Sequence, residues 1–222
     1  MCGRYASSRA VDDLLVTFEV PEPPEQVLPP SWNVAPTDPV YAVLQRDGVR
    51  SLRVLRWGLV PSWAKDRRAG ARMINARRET LTEKPAFRSA YARRRCLVPA
   101  DGYYEWQVQG ARKQPWFLTS RDGGPLAMAG LYEVWRDPEG ELLWTCTVVT
   151  TEAADDTGHI HDRTPLLVRP GDWARWLDPT VDDPGAELLV PGTPGVLDAW
   201  PVGTAVGNVR NDGPELVAPV QA

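Results

Sequence analysis

Apolar positions along the chain recur at two periods. Val11, Leu14, Leu15 and Phe18 share one face of a 3.6-residue repeat, and Ser7 or Ser8 stands ahead of them as an N-cap. The spacing predicts a helix to about Glu19. Pro21 to Pro30 is too rich in proline for helix and reads as extended. From Val40 the pattern changes to short strand-like runs. Val40 to Leu44 and Val49 to Leu59 form a hairpin across Arg46-Asp47-Gly48, with Asp47-Gly48 the strongest turn signal in this half. Lys84 to Arg93 predicts a short basic helix anchored by Phe87 and Tyr91. A buried strand follows through Cys96 to Pro99. Strands are then expected at Tyr103 to Val108, Pro115 to Thr119, Leu126 to Trp135 and Leu142 to Thr151, the last two joined by Asp137-Pro-Glu-Gly. Asp172 to Leu177 reads as a helix with Trp173, Trp176 and Leu177 facing inward, and the last forty residues as loops and short edge strands. Strands at such short spacing predict an α+β fold: a mainly antiparallel β core, with a barrel as one way to close it, and short helices packed outside. No repeat or linker divides the chain, so one domain over 1–222 is expected.

Composition narrows the class. A chain of 222 residues with ten Trp can bury a sizeable core. No apolar run is long enough to span a membrane, and no charged-then-apolar leader opens the sequence. The expected location is cytoplasmic. Cys2, Cys96 and Cys146 make no C-x-x-C pair, which argues against a disulfide framework and a zinc site; no metal or cofactor is implied. Net charge is −4, yet Arg50 to Arg95 holds fourteen Lys/Arg against Asp66, Glu79 and Glu83. Two readings stand: a basic face for phosphates, or long arginines lying over core surface and pairing with the acidic remainder.

Candidate chemistry begins at Met-Cys-Gly-Arg-Tyr, residues 1–5. Once Met1 is removed, Cys2 carries an α-amine and a thiol on adjacent carbons, with ordinary pKa values of about 7.7–8.0 and about 8.5. That pair can condense with an aldehyde and close to a thiazolidine, which no internal cysteine can do. Asn75, in Ile-Asn-Ala-Arg, could hydrogen-bond an adduct or simply form a turn. Glu105, in Tyr-Tyr-Glu-Trp, is either a desolvated proton carrier or a solvent-facing strand residue. Trp106 could stack on a base or fill core. His161, one of two histidines, could have its tautomer fixed by Asp162 or a backbone carbonyl, with Arg163 beside it for phosphate. Two chemistries fit these groups: a cysteine hydrolase in which His161 activates the thiol, and imine chemistry at the terminal amine with Glu105 and His161 moving protons. A third reading is a binding module for single-stranded or modified DNA, without catalysis. The placement of Cys2 favours imine chemistry.

Six motifs in order carry a resemblance. They are Met-Cys-Gly-Arg-Tyr at 1–5, Trp-Asn-Val-Ala-Pro-Thr at 32–37, Arg-Trp-Gly-Leu-Val-Pro-Ser-Trp at 56–63, Ile-Asn-Ala-Arg-Arg-Glu-Thr at 74–80, Arg-Arg-Cys-Leu-Val-Pro-Ala-Asp-Gly-Tyr-Tyr-Glu-Trp at 94–106 and His-Asp-Arg-Thr-Pro at 161–165. Together they resemble the SRAP (SOS-response-associated peptidase) family. The resemblance implies capture of abasic sites in single-stranded DNA through a reversible thiazolidine on Cys2, with associated lyase activity and autoproteolytic removal of Met1. It implies Cys2 as nucleophile, Asn75 orienting the adduct, Glu105 shuttling protons, and His161 assisting sugar ring opening and reversal. Arg4, Arg77 and Arg163 would hold phosphates, Trp63 and Trp106 would stack on bases, and Asn33 would join the DNA-binding set. One departure stands out: Thr164 occupies a position where the family usually carries methionine, which leaves the packing under His161 open.

Overall fold

A computed structural model of the chain describes residues 2–153, 157–185, 188 and 195–220. Its strands are β1 (Tyr5–Ser7), β2 (Ser31–Val34), β3 (Pro39–Arg46), β4 (Val49–Trp57), β5 (Asn75–Arg77) and β6 (Arg95–Ala100). Then come β7 (Gly102–Gln109), β8 (Arg112–Ser120), β9 (Leu126–Arg136), β10 (Leu142–Glu152), β11 (Arg163–Pro165) and β12 (Leu197–Pro201). Among the described residues three short α-helices accompany them, α1 (Val11–Thr17), α2 (Arg88–Arg93) and α3 (Trp173–Leu177).

The expected α+β fold with a mostly antiparallel β core is found, and the core does close. One sheet runs β11-β10-β4-β3-β6-β9, and the β9–β10 pairing turns five of these strands into a barrel. The second sheet runs β12-β8-β7-β1-β2. The β3–β4 hairpin turns at Asp47 and Gly48, both with positive φ (51° and 77°), as that dipeptide demands. Two pairings depart from the antiparallel pattern. β10 runs parallel to β4 and to β5, placing Asn75 opposite Val148.

Alternation along the strands sorts the core into two large clusters. Tyr41 and Val43 pack with Leu97 and Val149 under Phe18, Phe87, Tyr91, Trp173 and Trp176, the helix anchors read from periodicity. Val40, Ala42 and Leu44 face the other way, toward Trp57, Cys96, Cys146 and Val148. Tyr5 and Tyr103 of the second sheet join that cluster, together with Cys2 just ahead of β1. Cys2, Tyr5 and Ala6 are therefore core.

The helix near the N-terminus differs from expectation at its start. Ala10 is the cap, with no side-chain hydrogen bond. Ser8 instead donates its backbone N–H and hydroxyl to Asp101 Oδ2, at 2.5 and 2.7 Å, tying β1 to the turn before β7. At the end of β4, Gly58 sits at φ +118°, and a Cβ there would lie 2.6 Å from the carbonyl oxygen of Gly70. Only glycine permits this close approach, which presses the 67–72 turn onto the barrel beside the site.

The basic segment resolves into two populations. Arg50 pairs with Glu19, Arg68 with Asp66, Arg78 with Glu79, Arg93 with Asp182 and Arg94 with Glu133. Arg95 is buried and donates to the carbonyls of Tyr91, Ala92, Trp176, Asp178 and Val181. For these the pairing reading holds. Arg53, Lys65, Arg67, Arg72, Arg77, Lys84 and Arg88 remain exposed outside these pairs and supply basic surface, Arg53 with its guanidinium over the Trp144 ring.

Candidate active site

The site forms where β1, β5, β7 and the 157–165 segment meet. Cys2 is fully buried, and its thiol makes a weak contact with the Arg4 carbonyl at 3.8 Å. Burial holds the thiol protonated far above its ordinary range, and the carboxylate of Glu105 pushes the same way. Asn75, placed by the parallel β5–β10 pairing, donates from Nδ2 to the Cys2 carbonyl at 2.7 Å. Its Oδ1 is buried, with no hydrogen-bond partner among the described residues. One end of the amide thus fixes the backbone of Cys2 while the other end can still accept a donor.

Glu105 does not face solvent. Strand alternation puts it on the same face of β7 as Tyr103, and it is only 3% exposed. Burial lifts its carboxyl from 4.5 to about 7, and the charge of Asp162 adds to the rise. A carboxyl at that value is half ionised near neutrality and suits proton transfer in both directions. His161 stands 30% exposed, and burial lowers its pKa. The backbone N–H of Arg163 donates to its Nδ1 at 3.0 Å. In the neutral ring this leaves the proton on Nε2. Asp162 Oδ1 lies 2.9 Å from the same Nδ1, so a protonated ring would gain a partner there.

Cys2, Asn75, Glu105 and His161 are thus gathered from four separate segments. The expected DNA-contact residues divide. Arg77 is exposed, and no hydrogen bond or ion pair among the described residues engages its guanidinium; Trp63 is 64% exposed. The others point inward. Asn33 is 3% exposed, and its Nδ2 donates to the carbonyls of Val206, Asn208 and Asn211. Its Oδ1 accepts from Arg4, which also donates to Val206 O and Gly207 O. This pair anchors the C-terminal loop and does not present an open fork to phosphate. Arg163 is likewise engaged, by Glu79 at 2.7 and 3.1 Å and by Thr150 O at 2.8 Å. Trp106, on the face of β7 opposite to Glu105, packs half-buried against the small cluster of Tyr104, Phe117 and Val202.

Three groups that the sequence did not single out belong to the site. Glu79, held at about 2 by hydrogen bonds from Arg163, ties the Asn75 strand to β11. Tyr103 and Gln107 reach the histidine segment from β7. The departure at Thr164 is also explained. Its hydroxyl lies 2.8 Å from the buried Tyr103 phenol, so the polar group is satisfied where an apolar one would have packed.

Fold and site together define a β-barrel protein with a buried thiol and carboxyl and a partly exposed imidazole gathered beside its N-terminal strand. The family model for SOS response associated peptidase (SRAP) matches residues 1–209. The chain is 39% identical over 221 residues to the abasic site processing protein YoqW of Bacillus subtilis (strain 168), covering 98% of this chain and 99% of that one. It is 34% identical over 233 residues to the abasic site processing protein YedK of Escherichia coli (strain K12), covering 99% and 100%. A crystal structure of a protein from Bacteroides thetaiotaomicron matches with a TM-score of 0.89 at 25% identity, covering 99% and 100%. The chain belongs to the SRAP family.

Proposed function

We propose that this protein captures abasic sites in single-stranded DNA covalently, through Cys2 after loss of Met1. Its similarity to abasic site processing proteins over nearly its whole length supports the lesion as target. The observation that carries the chemistry is the position of Cys2, buried with its carbonyl held by Asn75 and its thiol in the field of Glu105.

The ring-opened sugar offers an aldehyde. The Cys2 α-amine adds to its carbon, and loss of one water gives an imine. The thiol sulfur then bonds to the imine carbon, the thiol proton passes to nitrogen, and a thiazolidine closes. Glu105 accepts a proton from the attacking amine and returns one to the departing hydroxyl, a cycle that its value of about 7 allows. The free Oδ1 of Asn75 accepts from the ring nitrogen. His161, neutral with Nε2 protonated, assists opening of the sugar and reversal of the link. An imine left open permits elimination of the strand, so ring closure and lyase activity compete for one intermediate.

Autoproteolytic removal of Met1 belongs to the same reading: one water hydrolyses the Met1–Cys2 peptide bond, which releases methionine and frees the Cys2 α-amine. Hydrolysis of other proteins is disfavoured, because a hydrolase of the thiolate–imidazolium kind needs an acidic thiol and a basic histidine, and burial moves both groups the other way. Exposed Arg77 and Trp63 contact phosphate and base, while Arg4 and Arg163 act by holding the structure around them.

The test mixes Met1-free protein with single-stranded DNA bearing one abasic site and resolves it on a denaturing gel. Wild type is expected to shift. Cys2→Ala and a form with one extra residue before Cys2 are expected not to. A shift by all three would move the chemistry to another amine and end this reading.

A further inference from the structure

We propose that Tyr103 and Gln107 are positioning residues that hold the 159–164 segment across β7 at two points and so set His161 opposite Glu105. This rests on the function proposed above for His161 and Glu105. Residues 103, 105 and 107 alternate onto one face of β7. The Tyr103 hydroxyl meets Thr164 Oγ1 at 2.8 Å. Gln107 donates from Nε2 to the His159 carbonyl at 3.0 Å. The two ties lie about 13 Å apart along the strand, at about 3.3 Å per residue. Glu105 is midway between them on one side, and His161 lies between Thr164 and His159 on the other.

Both tethers are themselves fixed. Gln107 Oε1 accepts from Trp116 Nε1 at 3.2 Å and from Gln109 Nε2 at 2.8 Å, which sets the amide's orientation and aims Nε2 at the histidine segment. The Trp116 ring also meets His159 edge-on at 5.8 Å. Tyr103 and Thr164 are 1% and 7% exposed, so their bond is protected from water. The held segment needs such support. β11 is a three-residue strand at the end of its sheet, paired among the described residues with β10 alone. Within the segment, the Arg163 N–H orients the His161 ring through Nδ1, so a shift at Thr164 is passed to the imidazole over three residues. The Tyr103–Thr164 tie also joins β7 of the second sheet to β11 of the first.

The experiment compares wild type with Thr164→Val, Tyr103→Phe, the Val/Phe double variant, Thr164→Ser and Gln107→Leu. Three quantities are read: adduct formation and reversal rates, the His161 titration by NMR in DNA-free protein, and the melting temperature. The chain has two histidines, so the two ring signals are separable and His159 serves as the internal comparison. The charges acting on the His161 ring are the N-terminal amine, which lowers its pKa, Asp162, which raises it, and Arg163, whose charge lowers it. Thr164→Val, Tyr103→Phe and Gln107→Leu are each expected to slow formation and reversal by about 10-fold or more, the scale of a small misplacement of a reacting group. They are also expected to move the His161 midpoint by about half a pH unit. The Val/Phe double variant should be no slower than either single, since one bond is removed in all three. Thr164→Ser should restore wild-type values. Lowered melting temperatures with unchanged rates and an unchanged His161 midpoint would overturn the proposal. Gln107→Leu, at a half-exposed tether, decides the case if a buried variant does not fold. A wild type that forms no adduct would refute the proposed function, while the DNA-free titration would still decide the positioning claim.

Discussion

Replacing Glu105 by Gln is expected to stabilise the protein above neutrality while abolishing efficient capture. Burial holds the carboxyl at about 7 in the folded state against 4.5 when exposed. A group raised in this way gives its full contribution below 4.5, where both states are protonated. The contribution fades as pH rises through 7, because the unfolded chain ionises first. At about 1.36 kcal/mol per pH unit, the loss amounts to about 3 kcal/mol by pH 8. Gln has nearly the shape of the protonated acid and no ionisation. Urea unfolding of wild type and Glu105→Gln at pH 4.5, 6 and 8 measures the difference. The variant should gain on wild type by about 3 kcal/mol across that range, or about 1 M in midpoint for a slope of about 2–3 kcal/mol/M. Adduct formation, run in parallel, should fall by about 100-fold or more, the typical contribution of a proton-transfer group. A stability difference that does not change with pH would refute the inference that Glu105 is a buried, elevated carboxyl.

Asn33→Ala should cost about 2–4 kcal/mol by leaving buried carbonyls without donors, yet retain DNA affinity at temperatures where it is folded; lost affinity in a stable variant would restore a DNA contact to Asn33. The depressed Glu79 carboxyl contributes stability that is present above 4.5 and lost as pH falls through about 2, so acid titration of unfolding should bring wild type and Glu79→Gln together at the low end. With Glu79 partly exposed, solvent screening keeps that effect small. Affinity measured with Cys2→Ala, where no link forms, should drop steeply with salt. Arg77→Ala should shallow that slope, and Trp63→Ala should weaken binding at every salt concentration; a flat salt response would remove the basic surface from the account.

Much of the barrel was legible because β3, β4, β9 and β10 are long enough for alternation and turn chemistry to be read. β1, β5 and β11 were not, since three residues carry no period and their partners lie far along the chain. Parallel pairing of β5 on β10, which places Asn75, has no local sequence signal at all. The four reactive residues could be found because their chemistry or their rarity marks them. Arg4, Asn33 and Arg163 resemble ligands for DNA in sequence because a donor-rich side chain looks the same there whether it meets phosphate or a carbonyl. Only the fold reveals that Asn33 is buried under the C-terminal loop and that Glu79 occupies the Arg163 fork. Tyr103 and Gln107 carry no signal in sequence beyond strand periodicity, because their partners are more than fifty residues distant.

The most direct test of the central claim is the state of Cys2 in the purified adduct. Protein linked to abasic DNA would be treated with nuclease, alkylated with a thiol reagent, digested and examined by mass spectrometry. A peptide beginning at Cys2 that carries the sugar remnant, with amine and thiol both unreactive, is the predicted result. An alkylated Cys2 thiol, or a remnant on Lys65 or Lys84, would contradict it.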